Sequence, residues 1–362
     1  MDANHTILAQ GFGELNARDL CEILLDPHVV DNWNAGITSP ITCTPLARGL
    51  AFVVDTAFLS ETPVFALGNG VLRVVKGNAA EPVGVHRGAI LEAAVTADNR
   101  LLTGGDDGLV ALTSAEGKVE HLATVERKWI EHVAVGPGGA IAYSSGKVAT
   151  VRTGDGRERK LELSRSVGGL AFAPKGLRIA IARYDGVDLW WAGTDQPPQA
   201  LQWKGAHLGV TFSLDGKYVV SSMQENALHG WKLDDGKDMR MTGYPAKPKS
   251  MSWSVKGRFL ASSGTNAAIL WPFHYKDGPM GRQPLQLGIR DVQATRVACH
   301  PREETVAIGY QDGVVMAVRF SDGNEARFRR AVGSPVSTLR WDSAGKRLAF
   351  GCEDGAAGIV TL

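Results

Sequence analysis

The residues that could support catalysis or bind a metal are scattered along the chain. No two histidines have the spacing of paired metal ligands, and the H-E-x-x-H motif is absent. The stretch "HPREE" (300–304) brings His300 near Glu303 and Glu304 in a predicted turn. Because a catalytic zinc normally needs three well-placed protein ligands, we interpret this stretch as a solvated turn.

Other motifs of catalysis and cofactor binding are also missing. "GDDG" (105–108) has two adjacent acids, but a calcium loop needs several oxygen ligands in register. The sequence contains no G-x-S-x-G motif, no P-loop and no dinucleotide-binding fingerprint. We therefore predict that the protein is not an enzyme and needs no metal or other cofactor.

Composition limits the class of protein. The 362 residues are 44% hydrophobic and 21% charged, which is typical of a globular chain. Lys and Arg total 39 and Asp and Glu total 38, so the net charge of +1 gives no reason to expect a nucleic-acid partner. No apolar run reaches the roughly 18 residues of a membrane span. The four cysteines form no C-x-x-C pair, and no signal peptide is evident. We expect free thiols in a cytoplasmic protein.

Pairs of turn signals recur through most of the chain. An x-Asp-Gly turn followed by an alternating apolar segment, which is a hairpin signal, occurs in "GGDDGLVALT" (104–113), "ARYDGVDLWW" (182–191), "GYQDGVVMAV" (309–318) and "GCEDGAAGIV" (351–360). A second turn precedes each, as in "LAFAPKG" (170–176) and "LRWDSAG" (339–345). The repeated unit is therefore strand, turn, strand, Asp-Gly turn, strand.

Eight such units follow one another at intervals of about forty residues. Their first strands start near Val53, Ile90, Ile130, Val167, His207, Pro248, Ala294 and Val336. A period of this length with four short strands per unit predicts an all-β fold, a single β-propeller of four-stranded antiparallel blades. Direct counting favours eight blades. Seven remains the alternative if the first unit is not a full blade.

On these motifs the chain resembles the WD-repeat β-propellers from Val53 to its last residue. The resemblance implies that Trp191, Trp231 and Trp271 are core residues that end third strands. It also implies a hydrogen-bonded chain of His, Ser or Thr, turn acid and Trp in each blade. The turn acids would be Asp107, Asp185, Asp312 and Asp354, with Asn69, Glu225 and Thr265 as variants. No unit carries the whole set, and the Asp that follows Trp in the family is missing.

The last unit has no fourth strand of its own, because the chain ends at Leu362. We predict that residues 40–47 supply it, so that an N-terminal strand pairs with the last blade, closes the ring and removes a free edge. The domain boundaries are then 1–36 for an N-terminal extension and 37–362 for the propeller. Within the extension, "ELNARDLCEILLDP" (14–27) has one apolar face. It is either a short amphipathic helix or a loosely ordered tail.

One face of the ring is the predicted interaction surface. The resemblance implies that partners bind the face carrying the Asp turns and the starts of the first strands. The candidate residues there are Phe52, Leu91, Trp129, Glu131, Tyr184, Gln224, Lys247, Lys249, Gln311 and Glu353. An apolar and aromatic centre with a charged rim is typical of a protein interface. Phe52, Trp129 and Tyr184 are the predicted anchors. The alternative is that these residues only line a wet central channel.

Two functions remain open from the sequence. The first is a non-catalytic scaffold, a monomeric ring that presents its loops to a protein or peptide. The second is a propeller that binds a small molecule or metal, or acts as an enzyme, in its central channel. The second needs several charged residues at the axis. The residues we place there are mainly apolar, amide or single charges, which favours the scaffold.

Overall fold

The described part of the chain forms the predicted β-propeller. A computed structural model describes residues 51–77 and 79–362, and the backbone of 42–47. The extension 1–36, with its predicted helix, lies outside the described residues. The described part of the predicted propeller domain therefore begins at Thr42, in strand β1 (Thr42–Ala47).

The first three repeat units each form one antiparallel four-stranded sheet. Their strands are β2 (Val53–Leu59), β3 (Thr62–Leu67), β4 (Val71–Lys76) and β5 (Ala79–Gly84); β6 (Ile90–Val95), β7 (Leu101–Gly105), β8 (Leu109–Thr113) and β9 (Val119–Thr124); β10 (His132–Val135), β11 (Ile141–Ser145), β12 (Val148–Arg152) and β13 (Glu158–Glu162). A short 3-10 turn, Pro137–Gly139, joins β10 to β11.

The remaining five units contain the following strands: β14 (Val167–Phe172), β15 (Arg178–Trp191), β16 (Gln199–Phe212), β17 (Tyr218–Met223), β18 (Ala227–Lys232) and β19 (Asp238–Met241); β20 (Met251–Trp253), β21 (Phe259–Ser262), β22 (Ala268–Pro272) and β23 (Leu285–Leu287); β24 (Ala294–Cys299), β25 (Thr305–Tyr310), β26 (Val315–Arg319) and β27 (Glu325–Arg329); β28 (Val336–Trp341), β29 (Arg347–Cys352) and β30 (Ala357–Thr361).

The turns have the backbone geometry that the sequence predicts. Gly355, in the last Asp-Gly turn, has a φ of 84°, a region that costs glycine little. Asn99 ends the first turn of unit two and has a φ of 58°, which asparagine tolerates better than most residues. The two recurring turn signals therefore mark real chain reversals between successive strands.

The apolar core lies between units. Eight clusters of buried side chains each join residues of two neighbouring units. For example, Leu72 of unit one packs in the same cluster as Ile90 of unit two. Val53 of unit one lies in a cluster with Ile359 of unit eight. Each unit therefore depends on both of its neighbours to bury its two faces.

The N-terminal strand closes the ring as predicted. β1 pairs antiparallel with β30, with Thr42 opposite Thr361 and Ala47 opposite Ala357. The resulting sheet has the order β1-β30-β29-β28. The ladder covers the edge of β30 that would otherwise expose unpaired backbone groups.

The prediction of eight separate blades is corrected, because the described strands form seven hydrogen-bonded sheets. The reason is not an incomplete first unit, which is a full four-stranded sheet. Units four and five share one six-stranded sheet, β14-β15-β16-β17-β18-β19. β16 runs without a loop from the outer strand of unit four into the inner strand of unit five, turning at Gly205, whose φ is 130°.

β15 contains both the second and the third strand of unit four. Its two halves form a hairpin, because the Ala192 N–H donates to the Leu177 carbonyl at 3.0 Å. The reversal occurs at Asp185 and Gly186, which both have positive φ. Each of units four and five therefore keeps four strand segments within the shared sheet.

The prediction that Trp191 is a core residue is wrong. Trp191 is 43% exposed, whereas the preceding Trp190 is 3% exposed. The hairpin of unit four closes with Ala192 opposite Leu177, whereas that of unit five closes with the Leu233 N–H on the Lys217 carbonyl. Counted from the glycine of the preceding turn, the residue that closes the hairpin comes one position earlier in unit four than in unit five. Trp190 therefore occupies the position that Trp231 has in unit five, and Trp231 and Trp271 are buried as predicted.

Two smaller observations bear on the sequence predictions. Cys299 and Cys352 are both free thiols. In the described ranges, no helix has the length and apolar character needed to cross a membrane.

Candidate partner-binding face and central channel

A recurring backbone hydrogen bond places the Asp-Gly turns beside the starts of the first strands. In four units the residue before the turn acid donates its N–H to a carbonyl at the start of the first-strand segment. The pairs are Asp106 with Ala89 (3.0 Å), Gln224 with Ala206 (3.0 Å), Gln311 with Gln293 (2.9 Å) and Glu353 with Pro335 (3.0 Å). We call the surface formed by these turns and strand starts the turn face. The bond brings together on it the two sets of positions that the sequence singled out.

The three predicted anchors are large aromatic residues with exposed side chains. Phe52 is 42% exposed, Trp129 60% and Tyr184 47%. Each is held by its backbone. Trp129 immediately precedes the fully buried Ile130, the Phe52 carbonyl accepts the Gly68 N–H at 2.8 Å, and the Tyr184 carbonyl accepts an N–H of Arg183 at 2.9 Å. They belong to units one, three and four, and no ring contact joins them among the described residues. They are separate exposed rings on fixed backbone.

The other predicted residues have more varied surroundings. Glu131 accepts the Gly146 N–H at 2.9 Å and so braces the turn of its own unit. Lys247 donates to the Gln224 side chain at 3.2 Å, which links units five and six. Gln311 and Glu353 are exposed. Leu91 and Lys249 line the central channel, so two of the predicted residues face the axis.

The central channel is more charged than the sequence predicted. It contains a cavity of about 510 Å³, lined by the inner strands of units one, two, six, seven and eight. Asp55, Glu92, Lys249, Arg296 and Arg340 all line it. The sequence led us to expect mainly apolar, amide or single-charge positions, and each of these five units contributes one charged side chain to the wall. Apart from Lys249, these residues lie further along the inner strands than the candidate positions at the strand starts that the sequence indicated.

The inner strands are joined across unit boundaries by polar side chains. Thr338 of unit eight donates its hydroxyl to Asp55 of unit one at 3.0 Å, and Ser337 donates to the Val53 carbonyl at 2.6 Å. Glu92 of unit two accepts the Val133 N–H of unit three at 2.8 Å. Such buried bonds cost little when every group is satisfied and much when one partner is lost. They hold the channel wall in one arrangement.

Unit two has three members of the family's hydrogen-bonded chain. The buried His86 contacts the Asp107 carboxylate through Nδ1 at 2.9 Å and the Thr103 hydroxyl through Nε2 at 2.9 Å. Burial raises the pKa of Asp107, but hydrogen bonds from His86 and from the N–H groups of Arg87 and Leu109 outweigh it, and the net pKa is lowered. The fourth member, Trp, is absent, since β8, the third strand of this unit, has the sequence "LVALT".

Two other units keep the Trp and vary the remaining members. In unit five, His207 contacts the Ser221 hydroxyl at 2.7 Å, and its ring centre lies 5.6 Å from that of Trp231. In unit six a tyrosine takes the histidine place. The Trp271 Nε1–H donates to the Tyr244 hydroxyl at 2.6 Å, and that hydroxyl lies 2.6 Å from the hydroxyl of Ser262. Burial raises the pKa of Tyr244 to about 12. The spacing of residues in the sequence gave no indication that Tyr244 takes the place of histidine in this unit.

The remaining turn acids bind different partners. Asp312 forms an ion pair with Arg290 at 2.8 Å, and Asp185 accepts the Gly205 N–H at 3.3 Å. Asp354 accepts the Ala356 N–H at 3.0 Å within its own turn. The acids therefore serve as local braces of the turn face, and unit two alone among the described units pairs a turn acid with a histidine.

The "HPREE" turn is structural. His300 is buried, its Nε2–H donates to the Gly345 carbonyl at 2.8 Å, and its Nδ1 accepts the Glu303 N–H at 3.0 Å. Both ring nitrogens are therefore occupied. Among the described residues, no group of three or more His, Cys, Asp or Glu side chains could hold a metal ion.

Comparison with known proteins supports the fold and gives distant relatives. A search against the profiles of known protein families finds no match. Telomerase protein component 1 of Rattus norvegicus is 27% identical to this chain over 199 residues, and that of Mus musculus is 26% identical. These alignments cover 53% of this chain and only 7% of each relative.

A solved structure matches over more of the chain. The computationally designed Ika8 protein superposes with a TM-score of 0.69 and 18% sequence identity, over 88% of this chain and 98% of its own. At this identity the likeness concerns the fold alone. It covers nearly the whole of the described ring.

Proposed function

We propose that this protein is a WD-repeat-type propeller, a monomeric cytoplasmic ring of eight interacting units without catalytic activity. Its function is to bind a protein or peptide partner on the turn face. The supporting observation is the exposure of Phe52, Trp129 and Tyr184, three large aromatic side chains on the surface where the turns of the repeat meet the strand starts.

Exposed aromatic anchors on a rigid backbone favour protein recognition. Tyr and Trp are enriched among the residues that dominate binding energy, because they bury a large area with few rotatable bonds. The backbone beside these aromatic side chains is fixed by hydrogen bonds within the propeller, so little conformational entropy is lost on binding. Gln311 and Glu353 supply exposed polar groups of the rim.

The relatives are consistent with this proposal. They are named as a protein component of telomerase, that is, as a part of an assembly. The region of those proteins that is similar to this chain is a small part of each. We carry over only the general role of a component of a larger assembly.

The proposal is tested by capturing partners from a lysate of the source cells with the intact chain and single variants. We expect Trp129→Ala and Tyr184→Ala each to reduce capture of the same proteins by at least about tenfold, the effect of losing an anchor worth over 1.4 kcal/mol. The matched control is Trp191→Ala. Trp191 is similarly exposed but lies at the opposite end of its strand segment from the Asp185 turn.

The variants must first melt at the temperature of the intact chain, since exposed side chains contribute little to stability. If folded Trp129→Ala and Tyr184→Ala capture the same proteins as the intact chain, the turn face is not the binding surface. Equal loss with Trp191→Ala would contradict a site confined to that face.

A further inference from the structure

The channel contains an arginine, Arg296, that forms no ion pair within the described residues. Arg296 lies on the inner strand β24 and is partly buried. One of its Nη1–H groups donates to the neighbouring Thr295 carbonyl at 2.9 Å. Among the described residues no carboxylate forms an ion pair with it. Burial lowers the pKa of Arg296, while Asp55 and Glu353 oppose this only from a distance.

The two carboxylates of the cavity are already occupied by other groups. Asp55 accepts the Thr56 N–H at 2.8 Å and the Thr338 hydroxyl at 3.0 Å, and Arg340 approaches it at 3.5 Å. Glu92 accepts the Val133 N–H at 2.8 Å and lies 3.2 Å from His132 Nδ1. Both acids therefore work as links between neighbouring inner strands, and neither is placed to neutralise Arg296.

Two further cations line the same cavity. Lys249 is exposed, and no hydrogen bond of its ammonium group is present in the part of the chain that the structure describes. Arg340 makes only long contacts, at 3.4 Å to the Thr56 carbonyl and 3.5 Å to Asp55. The cavity thus has three cations against two engaged acids, and most guanidinium and ammonium N–H groups remain available to a ligand.

The size and chemistry of the cavity suit a small ligand. Its volume of about 510 Å³ lies within the usual range for small-molecule sites. A guanidinium group matches the geometry of phosphate and carboxylate oxygens, and it is less strongly hydrated than an ammonium group. Burying an uncompensated charge costs stability, so a site that retains one is a candidate for ligand binding.

We propose that the central channel binds a small molecule through a compact oxyanion, a phosphate or a group of carboxylates, with Arg296 as the main contact. Lys249 and Arg340 flank the bound anion. This site is independent of the partner-binding turn face. It can exist whether or not the exposed aromatic residues bind a protein.

The test is isothermal titration of the intact chain with two probes, inorganic pyrophosphate and citrate, at constant ionic strength. Pyrophosphate represents phosphorylated ligands and citrate represents polycarboxylates. Saturable binding of at least one probe is expected, and whichever binds more tightly identifies the class of oxyanion. If neither probe shows saturable binding up to millimolar concentrations, the proposal is wrong.

Charge-removing variants locate the site. Arg296→Gln is expected to weaken binding by about tenfold or more, because it removes charge-assisted hydrogen bonds to the anion, which are stronger than neutral ones. Lys249→Gln, at an exposed position, is expected to weaken it less. The matched control Arg240→Gln removes an exposed cation from the outer strand β19 and should leave binding unchanged. Equal effects of Arg296→Gln and Arg240→Gln, or no effect of Arg296→Gln, would overturn the proposal.

The stability of the ligand-free variant provides a second test of the proposal. Arg296→Gln should melt at the same temperature as the intact chain or higher, because it removes a desolvated charge that the protein does not pair. A marked loss of stability in Arg296→Gln without any probe would show that Arg296 serves the fold, and would contradict a site built for a ligand.

Discussion

Two junctions between neighbouring units are built in opposite ways. Units eight and one meet where distant parts of the sequence come together, through the β1–β30 ladder and the bonds of Ser337 and Thr338 to unit one. Units four and five are joined by continuous backbone, because β16 belongs to both. At the first junction, strand pairing ties the N-terminal strand β1 into the sheet of unit eight, and polar side chains and an apolar cluster hold unit one against unit eight. At the second junction, an aromatic cluster fills the space between the two units.

That aromatic cluster contains two buried histidines. His229 stacks on Trp203 with ring centres 4.0 Å apart, and it lies edge-on to Trp231 at 4.7 Å. Within the described part of the chain, neither nitrogen of His229 has a hydrogen-bond partner, although Asp238 Oδ2 lies 3.2 Å from Nε2. The imidazole is therefore held as a neutral ring in apolar surroundings. The closure between units eight and one combines the apolar cluster of Val53 and Ile359 with satisfied polar groups.

The largest expected effect is on the closure. Deleting residues 1–47 removes β1 and leaves the edge of β30 unpaired. Loss of about five ladder pairs should cost about 3 kcal/mol or more, at a net value of 0.5–1.5 kcal/mol for each hydrogen bond, and should promote self-association. Thermal melting and light scattering measure the two effects. The matched control is deletion of residues 1–41, which keeps β1. Identical melting of the two truncated chains would refute the role of β1.

A smaller effect is expected at the junction of units four and five when the pH falls. Burial, together with the nearby His207 and Arg240, lowers the pKa of His229 to about 3, whereas the unfolded chain takes up this proton near pH 6.5. Folding is therefore favoured above pH 6.5, and this contribution is lost progressively as the pH falls from 6.5 towards 3. Between pH 7 and 5 the loss should be about 2 kcal/mol.

Urea unfolding at pH 7 and pH 5 measures this loss. The difference between the two pH values should shrink in His229→Gln and persist in His121→Gln, because His121 is exposed on the outer strand β9. An undiminished difference in His229→Gln would assign the pH dependence to other groups.

The smallest expected effect is on one side chain of the closure. Thr338→Val removes a hydroxyl that donates to Asp55 and accepts the Thr56 N–H at 3.2 Å. Because Asp55 and the Thr56 N–H keep their mutual bond of 2.8 Å, this loss should cost about 0.5–1.5 kcal/mol, measured by urea unfolding. Thr124→Val, at an exposed position on β9, should cost much less. If the two variants are equally stable, the polar bonds across the closure do not stabilise it.

Turn chemistry made most of the fold predictable. Asp-Gly and the earlier glycine turns fixed where strands begin, and the missing fourth strand of the last unit pointed to the N-terminal segment that became β1. The error at Trp191 has a local cause, since a hairpin one residue shorter moves the core position to Trp190. The merging of two sheets depended on Gly205, whose backbone angle no repeat pattern reports.

The candidate site was predictable only in part. The exposure of Phe52, Trp129 and Tyr184 followed from their positions in the repeat. The charged lining of the channel did not follow from the repeat, because it depends on which residues of eight separate inner strands lie at the same depth. The tyrosine that replaces histidine in unit six was also hidden, since Tyr244 reaches Trp271 and Ser262 only in three dimensions.

The direction of the closing ladder determines how the ring resists force. Because β1 and β30 are antiparallel, Thr42 and Thr361 form the pair nearest to both outward-leading ends of the chain. Tension applied through those ends loads that pair first and then each following pair in turn, as in a zipper. Such a pull breaks one pair at a time, so it needs less force than a pull that shears all pairs of the ladder at once.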